Sequence, residues 1–151
     1  MGIRKIFISG VIQGSATDKS IFSQDYRIKI KSALSAKFPE AEIFDPFDGH
    51  ENSIDYDDAK GKETFMHHID HLKSSDLVIA YLPHASMGTS IEIWEAHINK
   101  IPVWTITPMS SNWVIRFCSR KIFRDIEDFA AFVNQLENFR IETEEDADVR
   151  I

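Results

Sequence analysis

Apolar positions along the chain follow two alternating rhythms. Residues 3–9 are apolar and β-branched and run into glycines, which predicts a strand. Residues 20–38 carry Phe22, Tyr26, Ile30, Ala33, Leu34 and Phe38 at helical spacing, and Pro39 closes the segment. Residues 41–45 read as a short strand stopped by Pro46. Over residues 62–75, Phe65, Met66, Ile69 and Leu72 share one helical face. The unbroken apolar run 76–82 predicts a strand buried on both sides. Residues 88–100 set Ile91, Trp94 and Ile98 together on a helix, and 102–107 form another strand, stopped by Pro108. A short element is expected over 112–118 and a last helix over 126–139.

Strands alternating with helices predict a single α/β domain over residues 1–139. We expect a doubly wound, five-stranded parallel sheet, flavodoxin- or Rossmann-like. Ligands of such sheets sit outside the carboxyl ends of the strands. The loops 9–17, 46–62, 83–89 and 107–112 leave those ends, so the chemistry is expected there and in the helical turns that follow.

Composition narrows the classes. The chain has 151 residues, 43% of them hydrophobic, with a net charge of −7. That balance argues against a basic surface for a nucleic acid polymer. No apolar run approaches the roughly 20 residues of a membrane helix, and the opening residues carry no signal-peptide pattern, so no secretory leader is expected. The single Cys118 cannot form an intrachain disulfide, so a reduced, cytoplasmic protein is expected. Residues 140–151 form an acidic tail with little to pack.

Two segments could carry chemistry. Ser9-Gly10-Val11-Ile12-Gln13-Gly14-Ser15 follows the first strand, and its glycines would let backbone N–H groups approach a sugar or phosphate. It is neither a dinucleotide fingerprint nor a Walker loop, and a tight turn without ligand has the same sequence. Ser86-Met87-Gly88-Thr89-Ser90-Ile91-Glu92 joins the buried strand to a helix. Glu92 then stands in the first helical turn, where the dipole would keep a carboxylate ionised, fit to attack a glycosidic carbon. Thr89-x-x-Glu92 is equally a capping box, in which the glutamate only satisfies a backbone N–H. Asp70 flanks the apolar face of its helix and could point into a pocket, although such acids are more often exposed. His67, His68 and His71 suggest metal ligands, and His67 and His71 share a helical face, but no third ligand is evident from the spacing, so a solvated helix surface with no metal site and no cofactor is expected.

Taken in order, these segments resemble the nucleoside 2-deoxyribosyltransferase family, which includes deoxynucleoside 5′-monophosphate N-glycosidases. The resemblance covers about residues 5–118 and is most specific in the small residues before Glu92 with Ala96 after it. It implies an enzyme that cleaves N-glycosidic bonds by a retaining route, with Glu92 as nucleophile and Asp70 as the acid near the sugar and departing base. The partners implied are a small nucleoside or nucleotide and a free nucleobase. Candidate substrate-binding residues are Phe7, Ser9, Gly10, Gln13, Gly14, Asp45, Ser86 and Gly88. Ser110 and Asn112 would face a neighbouring subunit's site, so a homodimer or higher homo-oligomer is implied.

Three positions depart from the family pattern. Phe7 replaces a tyrosine whose hydroxyl would orient the nucleophile. Ser86 stands where the transferases carry aspartate and the monophosphate hydrolases serine. Gln13 replaces the hydrolases' phosphate-binding arginine, losing a charge-assisted partner. Transfer of a 2-deoxyribosyl group to a second base is the reading taken forward. Monophosphate hydrolysis and a non-catalytic nucleotide-binding module stand as alternatives.

Overall fold

A computed structural model describes residues 2–136. The acidic tail expected over 140–151 and the end of the last predicted helix lie outside the described residues. The elements run β1 (Lys5–Gly10), α1 (Asp25–Lys37), β2 (Glu42–Phe44), α2 (Asp58–Lys73), β3 (Leu77–Tyr81), α3 (Met87–Ile98), β4 (Val103–Ile106), α4 (Trp113–Cys118), β5 (Lys121–Phe123) and α5 (Ile126–Gln135). All strand pairings are parallel, in the order β2-β1-β3-β4-β5. This is the doubly wound, five-stranded sheet that the alternation predicts. The hydrophobic pattern alone does not mark β5, whose three residues pair only with β4.

The pleat explains how one apolar strand serves two cores. Alternate residues of a strand point to opposite faces. Ile6 and Ile8 of β1 meet Tyr26, Ile30 and Leu34 of α1 and Phe129 and Val133 of α5. Phe7 of the same strand points the other way, with Leu72 of α2, Ile93 and Ala96 of α3 and Ile115 of α4. The progression of strand order reverses between β1 and β3, so the topological switch point lies at their carboxyl ends.

One predicted helix boundary and two predicted faces are corrected. Helix α1 starts at Asp25 rather than near residue 20, because Phe22 belongs to a closed loop: its N–H donates to Ile12 O at 2.6 Å. On α2, Ile69 and Leu72 are buried, but Phe65 and Met66 are exposed. On α3, the buried stripe is Thr89, Ile93 and Ala96, while Ile91, Trp94 and Ile98 face outward. The helix carries two apolar stripes at helical spacing, and periodicity alone does not say which meets the sheet.

Candidate active site at the switch point

The site begins with the last turn of pleat in β1. Ser9 points to the same face as Phe7 and is 1% exposed, with α3 lying above it. Its hydroxyl donates a hydrogen bond to Glu92 Oε2. Glu92 lies on the buried side of α3, beside Ile93 and one turn beyond Thr89.

The start of α3 rules out the capping-box reading. Ser86 is the N-cap, with extended backbone, and its hydroxyl accepts from the Thr89 N–H at 3.4 Å and the Thr89 hydroxyl at 3.1 Å. Thr89 is thus inside the helix and Glu92 falls in the second turn. It bonds across to the sheet and not back to its own helix. At that depth the helix dipole has faded. The expectation of a carboxylate kept ionised by the dipole is therefore not met. Burial pushes the Glu92 carboxyl up to about 7, against the Ser9 hydrogen bond and the positive charge of Arg27, which both pull it down.

Arg27 is the buried charge of this edge, 3% exposed. Its Nε donates to Gln24 Oε1 at 2.7 Å, and its two terminal nitrogens reach Asp45 Oδ1 at 2.6 Å and Gly10 O at 3.3 Å. Asp45 is also held by Lys31 at 2.7 Å and by the Phe47 N–H at 3.0 Å. Both oxygens of Asp45 are thereby engaged, so it anchors Arg27 and is not presented to a ligand. Phe7 is likewise moved out of the set of contact residues. It is fully buried and stacked on Phe44, with ring centroids 5.5 Å apart, so it supports the floor of the site.

The glycines of the first loop have separate structural reasons. A Cβ on Gly10 would lie 2.8 Å from the ring of Tyr26, whose hydroxyl donates to Val11 O at 3.1 Å. Gly14 has φ +60°, and a Cβ there would meet the His84 ring, with Nδ1 at 2.9 Å. Gln13 is exposed on the same turn, and Gly88 is open, with no atom within 4 Å of a Cβ. Ser110 and Asn112 are exposed, and Asn112 caps α4 by accepting the Val114 N–H at 3.0 Å.

Asp70 follows the buried Ile69 on α2. It is exposed on α2 and makes no hydrogen bond or ion pair among the described residues. Two positions earlier, about 200° round the helix, His68 turns toward the sheet. Its ring meets Phe44 at 5.9 Å and His50 at 5.3 Å, and His71 stacks on Phe44 at 4.0 Å. His68 Nε2 is enclosed and has no hydrogen-bond partner among the described residues. Burial, with the positive fields of His50, His67, His71 and Arg27, pushes the imidazole down to about 4. Among the described residues no group of three or more His, Cys, Asp or Glu is arranged to hold a metal ion.

Sequence reasoning missed Arg27 and Phe44, and read His68 only as part of a solvated histidine surface. The spacing of Arg27, Ile30 and Leu34 did carry a signal, since it sets a charge on a core-facing stripe. A separate depression of about 340 Å³ opens on the opposite face of the sheet, between α1 and α5. It is lined by Lys29, Tyr81, Thr107, Arg124 and Glu127 among others, and includes none of the candidate residues.

The fold and site define a flavodoxin-like α/β protein with a buried carboxylate at its switch point. Within that class its fold is the one found in nucleoside 2-deoxyribosyltransferases. The 2-deoxyribosyltransferase of Bacillus psychrosaccharolyticus superposes with a TM-score of 0.62 at 17% identity, covering 91% of this chain and 93% of that one. A conserved protein of Enterococcus faecalis gives 0.61 at 17% identity, covering 89% and 99%. The Clostridium botulinum CMP N-glycosidase BcmB gives 0.54 at 17% identity, covering 88% and 100%. No family model matches the sequence, and no curated protein matches it.

Proposed function

We propose that this chain cleaves the N-glycosidic bond of a (deoxy)nucleoside and passes the 2-deoxyribosyl group to a second base. The observation that carries the reading is the buried Glu92 carboxyl held by the Ser9 hydroxyl at the switch point. In its ionised form Glu92 attacks the anomeric carbon through one oxygen while Ser9 holds the other. The C–N electron pair leaves with the base, and an ester joins sugar to protein. A second base then attacks the same carbon, the carboxylate departs, and configuration is retained overall. Low solvation makes the carboxylate a better nucleophile than one in water.

Several of the other candidates have places in this scheme. The N–H groups of Met87 and Gly88 open α3 and have no intrahelical acceptor, so they suit the 5′-hydroxyl or phosphate beside Ser86. Gly10, Gln13 and Gly14 would border the sugar from the first loop. Hydrolysis of a 5′-monophosphate is the second reading. Ser86 favours it, because it stands where the monophosphate hydrolases carry serine. The resemblance also implies a homo-oligomer in which Ser110 and Asn112 reach a neighbouring site. Met87, Trp94 and Ile98 of α3 and Trp113 and Phe117 of α4 leave an apolar face for that contact. Sedimentation of the wild type beside Trp94→Glu tests it, and a monomer in both refutes it.

The chemistry is tested by chromatography of free base. Common deoxynucleosides and their 5′-monophosphates are incubated with and without a second base, beside Glu92→Gln. Base exchange that Glu92→Gln abolishes is the expected result, and release without exchange identifies a hydrolase. Nucleotide binding by calorimetry with no turnover would replace the enzyme with a binding module. A fully active Glu92→Gln protein would refute the nucleophile.

A further inference from the structure

We propose that His68 meets the departing base, its Nε2–H donating a hydrogen bond to a ring acceptor on which negative charge develops as the glycosidic bond breaks. The inference rests on the N-glycosidic reading above and assigns the base end of that site.

Four observations place it there. His68 stands on the sheet-facing side of α2, one turn before the fully buried Leu72. A run of packed side chains links it to the nucleophile. His68 faces Phe44, Phe44 stacks on Phe7, and Ser9 follows Phe7 on the same side of β1 and bonds to Glu92. Buried Arg27 lies within electrostatic range of both Glu92 and His68. Lastly, Nε2 is a buried polar atom without a partner among the described residues, an arrangement that calls for a reason.

The flat rings around it suit a flat ligand. Phe44, His50 and His67 frame the imidazole, and His50 is carried by the loop between β2 and α2, tied to Tyr56 by a 2.8 Å contact between His50 Nδ1 and the phenol oxygen. A base reaches Nε2 by taking the place of the His50 ring. The imidazole is neutral at neutral pH, because burial and the positive fields of His50, His67, His71 and Arg27 oppose its protonation. It therefore acts as a hydrogen-bond donor and not as a proton donor. The Glu92–C1′ bond forms, the C1′–N bond breaks, and its electron pair goes to the base. Nε2 keeps its proton, and the base takes one from solvent on release. A donor aimed at developing charge in a desolvated site is worth about a hundredfold in rate.

The test uses two substrates with His68→Asn and His68→Ala. One is a natural deoxynucleoside, whose base leaves with a negative charge. The other is a 7-methylguanine deoxyriboside, whose base leaves neutral and needs no donor. The expected result is a loss in kcat/KM of about a hundredfold on the first substrate and of less than about threefold on the second, with circular dichroism unchanged. Equal losses on both substrates would make His68 merely structural and overturn the proposal. So would wild-type rates in His68→Asn together with an inactive Asp70→Asn. Glu92→Gln separates the two levels. If it retains activity on both substrates, or the wild type turns over neither, the parent reading fails and this proposal with it. If Glu92→Gln is inactive on both while the His68 variants match the wild type, only this proposal fails.

Discussion

Replacing Glu92 by glutamine should stabilise the protein at alkaline pH while removing its activity. The carboxyl titrates near its ordinary 4.5 in the unfolded chain and at about 7 in the native one. Between those values the native state still holds a proton that the unfolded state has lost. The native state binds more protons there, so stability is greatest below 4.5 and falls as pH rises through 7. The full gap corresponds to about 3 kcal/mol of stability lost once both states are ionised. Glutamine has nearly the shape of the protonated acid, its carbonyl can accept the Ser9 hydroxyl, and it never ionises. Urea unfolding at pH 5 and pH 8 reads the difference. Glu92→Gln should be the more stable protein, by a margin that widens by about 2–3 kcal/mol between those pH values. A margin that stays constant with pH would refute the reasoning. It would mean that Arg27 and Ser9 hold the carboxylate ionised and that burial does not dominate. A functional group that costs the fold stability at working pH is typical of a site kept for chemistry.

Three further outcomes follow from the same geometry. Ser9→Ala removes a hydrogen bond that lowers the Glu92 pKa, so the rise of rate with pH should move to higher pH, and an unmoved pH–rate profile would disconnect the pair. Gly10→Ala drives a methyl into the Tyr26 ring and should cost about 1–3 kcal/mol in urea unfolding, with the loop carbonyl bonds strained as well. Arg27→Met leaves buried Asp45 with only Lys31 as a charged partner and should cost about 3–5 kcal/mol. A neutral result there would show that Asp45 is not dependent on Arg27.

Much of the architecture was legible because a parallel sheet imposes strong patterns. Strands buried on both sides, such as Leu77–Tyr81, read as unbroken apolar runs, and prolines mark where β2 and β4 stop. Glu92 was legible for a topological reason, since the helix after a central strand starts at the ligand edge. Its hydrogen-bond partner was visible only as one residue of a loop, because sequence does not show which strand residue a helix side chain meets. The N-cap defeated local reading too. Thr89 and Ser86 are both capping residues, and only the extended backbone of Ser86 decides between them. His68 was hidden for the opposite reason, as one of three histidines on a polar-looking helix where Asp70 drew the chemical interest.

Helix α3 shows why the missing part is the functional part. Its outward stripe, Ile91, Trp94 and Ile98, is the more apolar and therefore the more conspicuous in sequence. The inward stripe contains Thr89 and Ala96 around Ile93, and those small side chains let the helix settle close to β1. Close approach is what brings a side chain from the second helical turn against a serine on the strand. A larger residue at either position would lift α3 away from the sheet, and water would fill the gap. Glu92 would then return toward its ordinary pKa and lose its fixed partner. Ala96→Leu therefore tests the link between packing and chemistry. It should lower the apparent pKa of the rate profile toward 4.5 and reduce kcat, although residue 96 lies a full turn beyond the carboxylate. If Ala96→Leu is merely less stable and keeps the wild-type pH profile, the close seating of α3 is not what sets the character of Glu92.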